Sequence, residues 1–553
     1  MMSVATLYNE WLSATVGELH DELLSMNDKQ KEEAFCQNIE FGTGGLRGIL
    51  GAGINRMNIY TVRKVTKGYA EYITASGKDA MLRGVAIAYD NRRMSSRFAR
   101  EAANVLSENG IKVYLFDTLR PTPELSFAVR ELHAFGGIVI TASHNPPEYN
   151  GYKIYDENGC QLVPRYTDVL IDIINSVPID LYSEPQGNSE LIEIIGENID
   201  NLYYERVAEL NVNPDVKKDI KIVYSAQHGT GNIPVREVLK RCGYDVRAVE
   251  EQCYPDTEFS NTKNPNPETA EAFELSLEIA KSENADIILV TDPDCDRVGT
   301  AILHDGEYLR MTGNQMGAVL LEYILSFKQK TGAMPEDGMM INTIVTSDLG
   351  DSVARLYGLE VEKTLTGFKF IGDRIEHHNL TDKKTFVFGY EESYGYLLGD
   401  FVRDKDAVQA ALIIAEACAY YKSLGLTLID VLNGIYERHG YYIDNLVSIT
   451  KPGLDGAAEI EKIMKSLRAD PPKTVAAKAV VRIEDYTTSV KAADHIPSSN
   501  VLKYFLDGGS WVAIRPSGTE PKCKIYYSAK AESKCLAETL LGAMKADIVS
   551  LME

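Results

Sequence analysis

The sequence predicts an α/β protein built from three similar α/β units with mainly parallel sheets, followed by a C-terminal α+β domain. Three observations lead there. At 553 residues the chain exceeds what one hydrophobic core supports, so length alone points to three or four domains. Short apolar runs alternate with amphipathic stretches in three successive blocks, the rhythm of βαβ units. Roughly the last hundred residues lose that rhythm and read as strands closed by a single helix.

Taken in order, roughly the first forty residues are helical in pattern, rich in Glu, Leu, Lys and Asp, and end at the glycine cluster Phe41-Gly-Thr-Gly-Gly-Leu-Arg-Gly48. The first block holds the strand GVAIAYD, the helix RFAREAANVLSENG, the strand IKVYLFD, the helix ELSFAVREL and the strand GGIVI. The second holds KIVYSAQHGTG, REVLKRCG and ADIILV; the third holds GMMINTIVTSD, SVARLYG, TFVF and a helix from about Ala407 to Leu424. In the last block NLVSITK, AKAVVRIED, SWVAI and KIYYSA are strand candidates. The closing helix there carries Leu536, Leu540, Met544, Ile548 and Leu551 as its expected apolar stripe. Boundaries are expected at about residues 205, 310 and 440, dividing the chain into 1–205, 206–310, 311–440 and 441–553.

Composition narrows the function. The formal net charge of −23 argues against nucleic acid as a partner, because binding a phosphate backbone needs a basic surface that releases counterions. Eight scattered cysteines with no C-x-x-C pair disfavour zinc and a disulfide framework, and fit a reducing, cytoplasmic setting. The N-terminus is acidic where a signal peptide is basic, and no run of about 18 apolar residues is present, so no membrane partner is expected. No obligate protein partner is evident either.

Chemistry concentrates in four polar loops, each following a short apolar strand, where ligands bind in open α/β sheets. The first is Thr141-Ala-Ser-His-Asn-Pro146. Ser143 there sits on a proline-bounded turn with His144 beside it and Lys153 ten residues on, which suits a nucleophile or phosphoryl carrier; the alternative is a plain turn. No G-x-S-x-G elbow supports a serine hydrolase. The second is Thr291-Asp-Pro-Asp-Cys-Asp-Arg297. Asp292, Asp294 and Asp296 at alternate positions crowd three like charges together, which a hard divalent cation such as Mg2+ relieves; the alternative is a solvated acidic turn. The EF-hand glycine and distal glutamate are missing. The third is Gly389-Tyr-Glu-Glu-Ser-Tyr-Gly395, where carboxylates suit sugar hydroxyls but also suit a helix cap or bare surface. Thr366-Gly-Phe-Lys369 and Arg403-Asp-Lys-Asp406 add polar groups nearby. The fourth is Arg515-Pro-Ser-Gly-Thr-Glu-Pro521, a guanidinium, two hydroxyls and a glycine amide on a tight turn, fit for a phosphate or merely structural. No Walker loop is present, so a nucleoside triphosphate is not implied.

In this order, and over nearly the whole chain, the four loops resemble those of the α-D-phosphohexomutases, the phosphoglucomutase and phosphomannomutase superfamily. The resemblance implies four domains around a central cleft. It implies that Ser143 carries a phosphoryl group and that Asp292, Asp294 and Asp296 hold Mg2+ together with an oxygen on Ser143. Glu391 and Ser393 then match the sugar-reading loop, with Thr366, Gly367 and Lys405 beside it, and Arg297 also faces substrate. Arg515, Ser517, Gly518 and Thr519 match the distal phosphate loop. Lys153 and Arg47 resemble the acid/base residue and the cleft arginine, and His144 belongs to the serine motif. Pro293 and Cys295 stand where many members carry glycines, and Tyr390 is an extra residue between the glycine and Glu391. The length and the N-terminal helices look most like the bacterial phosphoglucomutase and phosphopentomutase-like branch.

The expected activity is interconversion of a hexose 1-phosphate and 6-phosphate, glucose foremost, through a sugar 1,6-bisphosphate that doubles as activator. Phosphopentomutase, phosphomannomutase, bisphosphate synthase and metal-dependent phosphatase activities remain as alternatives, as does a non-catalytic sugar-phosphate-binding protein.

Overall fold

Four sheets, each with its own helices, carry the described residues. The structure, a computed structural model, describes residues 3–42, 45–381, 383–451, 456–488, 493, 495–517 and 522–552. It divides into two compact units. One comprises Met1–Met311, Phe368–Lys383 and Tyr394–Ser423; the other comprises Thr312–Gly367, Lys384–Ser393 and Leu424–Glu553.

The first unit opens with the helices Val4–Ala14, Glu18–Ser25 and Asp28–Phe35. Ser3 and Asn27 accept backbone N–H groups at the starts of the first and third, which is why those helices begin where they do. Their apolar faces bury Trp11, Leu23 and Phe35 together with Tyr60 of the helix Ile59–Ala75, with Trp11 edge-on to Phe35 and Tyr60. Glu22 reaches out of this cluster to accept the Ala52 N–H at 2.9 Å. The small helical layer thereby fixes the segment leading away from Arg47.

The first sheet runs in the order Leu46–Ile49, Tyr149–Tyr155, Gly136–Ile140, Val85–Tyr89, Val113–Phe116, Ile192–Ile195. The last four strands are parallel, and Gly136–Ile140 is buried throughout, as a strand covered on both faces must be. Tyr149–Tyr155 and Leu46–Ile49 add antiparallel at one edge. The strand Tyr149–Tyr155 is not among those expected from sequence. Its alternation is masked because nearly every residue is buried, Gly151 among them. The second sheet pairs Ile287–Thr291, Ile222–Ser225 and Val246–Ala248 in parallel, then turns back through Val298–His304 and Glu307–Met311.

In the second unit Glu360–Thr364, Gly338–Thr343 and Thr385–Glu391 lie side by side, all parallel. The C-terminal sheet is antiparallel, in the order Tyr441–Thr450, Lys522–Ala531, Trp511–Pro516, Leu502–Leu506, Lys478–Asp485, Thr474–Val475. Leu502–Leu506 and the helix Gly456–Ala469 were not anticipated from sequence. The final helix spans Lys534–Met552, but its buried seam is Ala537, Leu541, Met544, Ile548 and Met552. Leu536 and Leu551 are exposed, because the seam against the sheet advances by four, three, four and four residues, as a turn of 3.6 residues requires. Among the described residues no single helix is long and apolar enough to cross a membrane.

Candidate active site

The strand Gly136–Ile140 ends in a loop whose backbone is held open from beneath. Ser143 takes a left-handed conformation, φ +52°, and its N–H donates to Thr141 Oγ1 at 2.8 Å. A non-glycine residue there costs energy, and the restraint comes from Arg92. The buried Arg92 guanidinium donates to the carbonyls of Ser143 (2.5 Å), Pro146 (2.8 Å) and Tyr149 (3.1 Å), and to that of Asn145. Asn145 in turn accepts from Arg47 at 3.2 Å. Ser143 Oγ, so positioned, donates to Asp292 Oδ2 at 2.8 Å and lies 3.1 Å from His144 Nδ1. Burial, then the cations Arg297 and Arg47, push the His144 imidazole well below its ordinary pKa, so it is neutral beside the serine.

The second loop begins where Ile287–Thr291 ends. Asp292, Asp294 and Asp296 are all buried, with one oxygen from each within 4.8 Å of the others. Asp292 Oδ1 accepts the N–H groups of Asp296 (3.1 Å) and Arg297 (3.0 Å). Thr122 grips Asp294 twice, N–H to carbonyl at 2.9 Å and hydroxyl to Oδ2 at 3.0 Å. Cys295, at φ +54°, occupies the left-handed corner between the two outer aspartates, the conformation that makes glycine the easier residue there. Lys153 Nζ stands 3.3 Å from Asp294 Oδ2 and 4.0 Å from Asp296 Oδ2, and Lys405 Nζ is 2.8 Å from Asp296 Oδ2. Lys153 reaches these carboxylates because the antiparallel register sets it opposite Val139, one strand from the serine loop.

Burial, together with Asp296 and Asp294, pushes the Asp292 carboxyl well above the ordinary range. Burial would raise Asp294 too, but Lys153 and Lys405, with hydrogen bonds to Asp292 and Thr122, hold it below that range. Three buried carboxylates so close retain a proton unless a cation takes its place. Asp294 Oδ1 and Asp296 Oδ1 are buried with no hydrogen-bond partner. An all-oxygen donor set with two uncommitted oxygens, next to a serine hydroxyl, fits a hard divalent cation such as Mg2+.

In the second unit, Glu391 ends its parallel strand and accepts the Gly367 N–H at 2.7 Å, so Thr366-Gly367 and Glu391 do come together. Ser393 follows two residues on and is half-buried. Arg515 lies near the end of the strand Trp511–Pro516, and the Ser517 N–H donates to the Lys522 carbonyl at 2.7 Å. Gly518 and Thr519 lie outside the described residues. Tyr526, which the sequence reading passed over, is buried with its hydroxyl hydrogen-bonded to Arg515 and close to Glu392 and Glu391; burial and the glutamates raise its pKa.

Arg92 and Thr122 were also missed. Arg92 carried a usable signal, since Asp90-Asn-Arg-Arg93 follows a buried strand as the chosen loops do. Thr122 carried none, because its role depends on contact with a loop 172 residues away.

The chain matches the domain families described as phosphoglucomutase/phosphomannomutase alpha/beta/alpha domain I over residues 38–178, domain II over 201–305 and domain III over 312–439, with the C-terminal domain over 454–540. A curated relative from Staphylococcus aureus, named phosphoglucomutase, is 39% identical over 518 residues, covering 91% of this chain and 92% of its own. One of the same name from Staphylococcus epidermidis is 37% identical over 539 residues, covering 95% and 97%. Among solved structures, the open form of the phosphoglucomutase parafusin from Paramecium superposes with a TM-score of 0.69 at 17% identity, over 93% of this chain and 94% of that one. A phosphoglucomutase/phosphomannomutase family protein from Burkholderia thailandensis gives 0.68 at 18%, over 92% and 97%. At those identities the structures speak to the fold alone.

Proposed function

The chain belongs to the phosphoglucomutase/phosphomannomutase family of isomerases, and from that premise we propose that it interconverts glucose 1-phosphate and glucose 6-phosphate through a phosphorylated Ser143. The observation that carries the proposal is the placement of Ser143 Oγ 2.8 Å from one of three clustered buried carboxylates. The two Staphylococcus relatives carry the glucose reading. Division of labour follows the domain boundaries expected above: 1–205 presents the serine, 206–310 the metal ligands, 311–440 the sugar loop and 441–553 the distal phosphate loop.

Phospho-Ser143 passes its phosphoryl group to the free hydroxyl of the bound monophosphate. The P–O bond to serine breaks as a P–O bond to the sugar forms; the proton of the sugar hydroxyl passes to the acid/base residue, and the serine oxygen takes up a proton in its place. The resulting 1,6-bisphosphate reorients and returns its other phosphoryl group to Ser143. Mg2+ held by Asp292, Asp294 and Asp296 would supply charge neutralisation on the group in transit. Lys153 serves as the acid/base residue, and neutral His144 lies 3.1 Å from the serine oxygen, whose proton goes to Asp292. Arg47 holds Asn145 and with it the serine loop, while Arg297 and Lys405 face the substrate. Glu391 and Ser393, backed by Thr366 and Gly367, read sugar hydroxyls. Arg515, Ser517, Gly518 and Thr519 bind the phosphate that is not reacting.

The test is a coupled assay of hexose 6-phosphate formation from glucose 1-phosphate, with Mg2+ and a trace of glucose 1,6-bisphosphate. It is run on the native chain and on Ser143→Ala, with mannose and pentose 1-phosphates in parallel. We expect turnover of glucose 1-phosphate by the native chain and none by the variant. Undiminished turnover by Ser143→Ala would remove the serine relay, and turnover of pentose phosphates alone would move the substrate.

A further inference from the structure

We propose that Glu268 is a positioning residue that draws Arg297 away from the three aspartates and so keeps their charge available for a divalent cation. The inference rests on the metal reading of Asp292, Asp294 and Asp296.

Arg297 belongs to the aspartate loop by its backbone, its N–H donating to Asp292 Oδ1 at 3.0 Å. Its guanidinium therefore starts beside the carboxylates, and Arg297 Nε is 3.8 Å from Asp296 Oδ1. Yet the short contact is made elsewhere: Nη1 donates to Glu268 Oε1 at 2.7 Å. Charge-assisted pairing at that distance outweighs the longer approach to Asp296.

The consequence is electrostatic. Three carboxylates already face two ammonium groups, Lys153 and Lys405. A further cation settled on Asp296 would compete with the metal for its charge and cover an oxygen that now has no hydrogen-bond partner. With Arg297 committed to Glu268, that oxygen stays free for the metal.

Glu268 is built for the task. Its N–H donates to Asn266 Oδ1 at 3.0 Å, and Arg310 donates to its carbonyl at 3.3 Å, so its backbone is pinned from both sides. The segment that carries it lies against the strand Val298–His304 at Gly299, where a Cβ would come within 2.6 Å of the Pro267 carbonyl. Only glycine permits that approach, which brings Glu268 within reach of the guanidinium.

The test measures Mn2+ binding to the full chain by calorimetry and by the loss of free-ion electron spin resonance, for the native chain, Glu268→Gln and Glu268→Gln/Arg297→Gln. We expect Glu268→Gln to weaken binding roughly ten-fold, in the range typical of lost outer-sphere partners. The double variant should recover most of that loss, because the competing guanidinium is gone. Recovery separates positioning from damage to the fold, which a second substitution would not repair. Equal Mn2+ affinity in Glu268→Gln and the native chain would overturn the inference alone, as would a double variant no better than the single. A native chain that binds no Mn2+ would overturn the metal reading and this inference together.

Discussion

Four carbonyl oxygens of one loop converge on the Arg92 guanidinium, and a buried fork with several donors is the one side chain that can satisfy them together. A lysine at 92 keeps the charge but lacks the planar fork, leaving acceptors unmade beneath the left-handed Ser143. Each orphaned buried acceptor costs about 1–3 kcal/mol, and a nucleophile displaced by about 1 Å loses on the order of a hundred-fold in rate. Arg92→Lys should therefore lower kcat by about ten- to a hundred-fold while leaving KM within a few-fold, since Arg92 does not face the substrate. Steady-state kinetics decide this; a rise in KM with kcat unchanged would mean that Arg92 acts on substrate binding instead of on the serine loop.

At the level of elements, the site was legible wherever a buried strand stops at a turn that only certain residues can make. Ser143 and the three aspartates follow Gly136–Ile140 and Ile287–Thr291 in that way. It was illegible where function depends on register. Lys153 reaches the aspartates because Tyr149–Tyr155 runs antiparallel to the serine strand, and nothing local to Asn150-Gly-Tyr-Lys153 encodes a partner. The phase of the last helix was misread for a similar reason, since its seam is chosen by the sheet beneath it. Tyr390 shows the same dependence. Read from sequence as an extra residue in the sugar loop, it is buried against Gly317 of the helix Gly313–Thr331 and Gly350 of the helix Asp348–Leu356, and so anchors the strand that ends at Glu391. Gly317→Ala sets two effects against each other. Helix propensity favours alanine by about 1 kcal/mol, but its Cβ would lie 2.5 Å from the Tyr390 ring, and overpacking a wedged ring costs about 1–3 kcal/mol. The clash should win. We expect a lower unfolding temperature and a raised KM from the displaced Glu391; a higher unfolding temperature would show that Tyr390 has room to move.

Across the molecule, acidity and burial act together on stability. The chain carries a formal charge of −23, and both compact units enclose carboxyls that burial pushes up to about 6 from 3.8: Asp156 and Asp406 in the first, Asp444 in the second. A carboxyl whose folded pKa lies above its unfolded value binds more protons folded than unfolded. Its contribution is complete below about pH 4 and is lost as pH rises through about 6. Each shift of about two units corresponds to at most roughly 3 kcal/mol, and self-repulsion among the surface carboxylates grows in the same direction. Asp294, held low by Lys153 and Lys405, works the opposite way, but only in more acid solution. The unfolding temperature should therefore climb as pH falls from 7.5 towards 5 and drop again in stronger acid. Asp156→Asn isolates one group, since the amide oxygen can still accept the N–H groups of Asn158 and Cys160. Its unfolding curve should coincide with that of the native chain near pH 4 and lie above it from pH 6 upward. An offset that stays constant with pH would assign the difference to hydrogen bonding rather than to ionisation of a buried carboxyl.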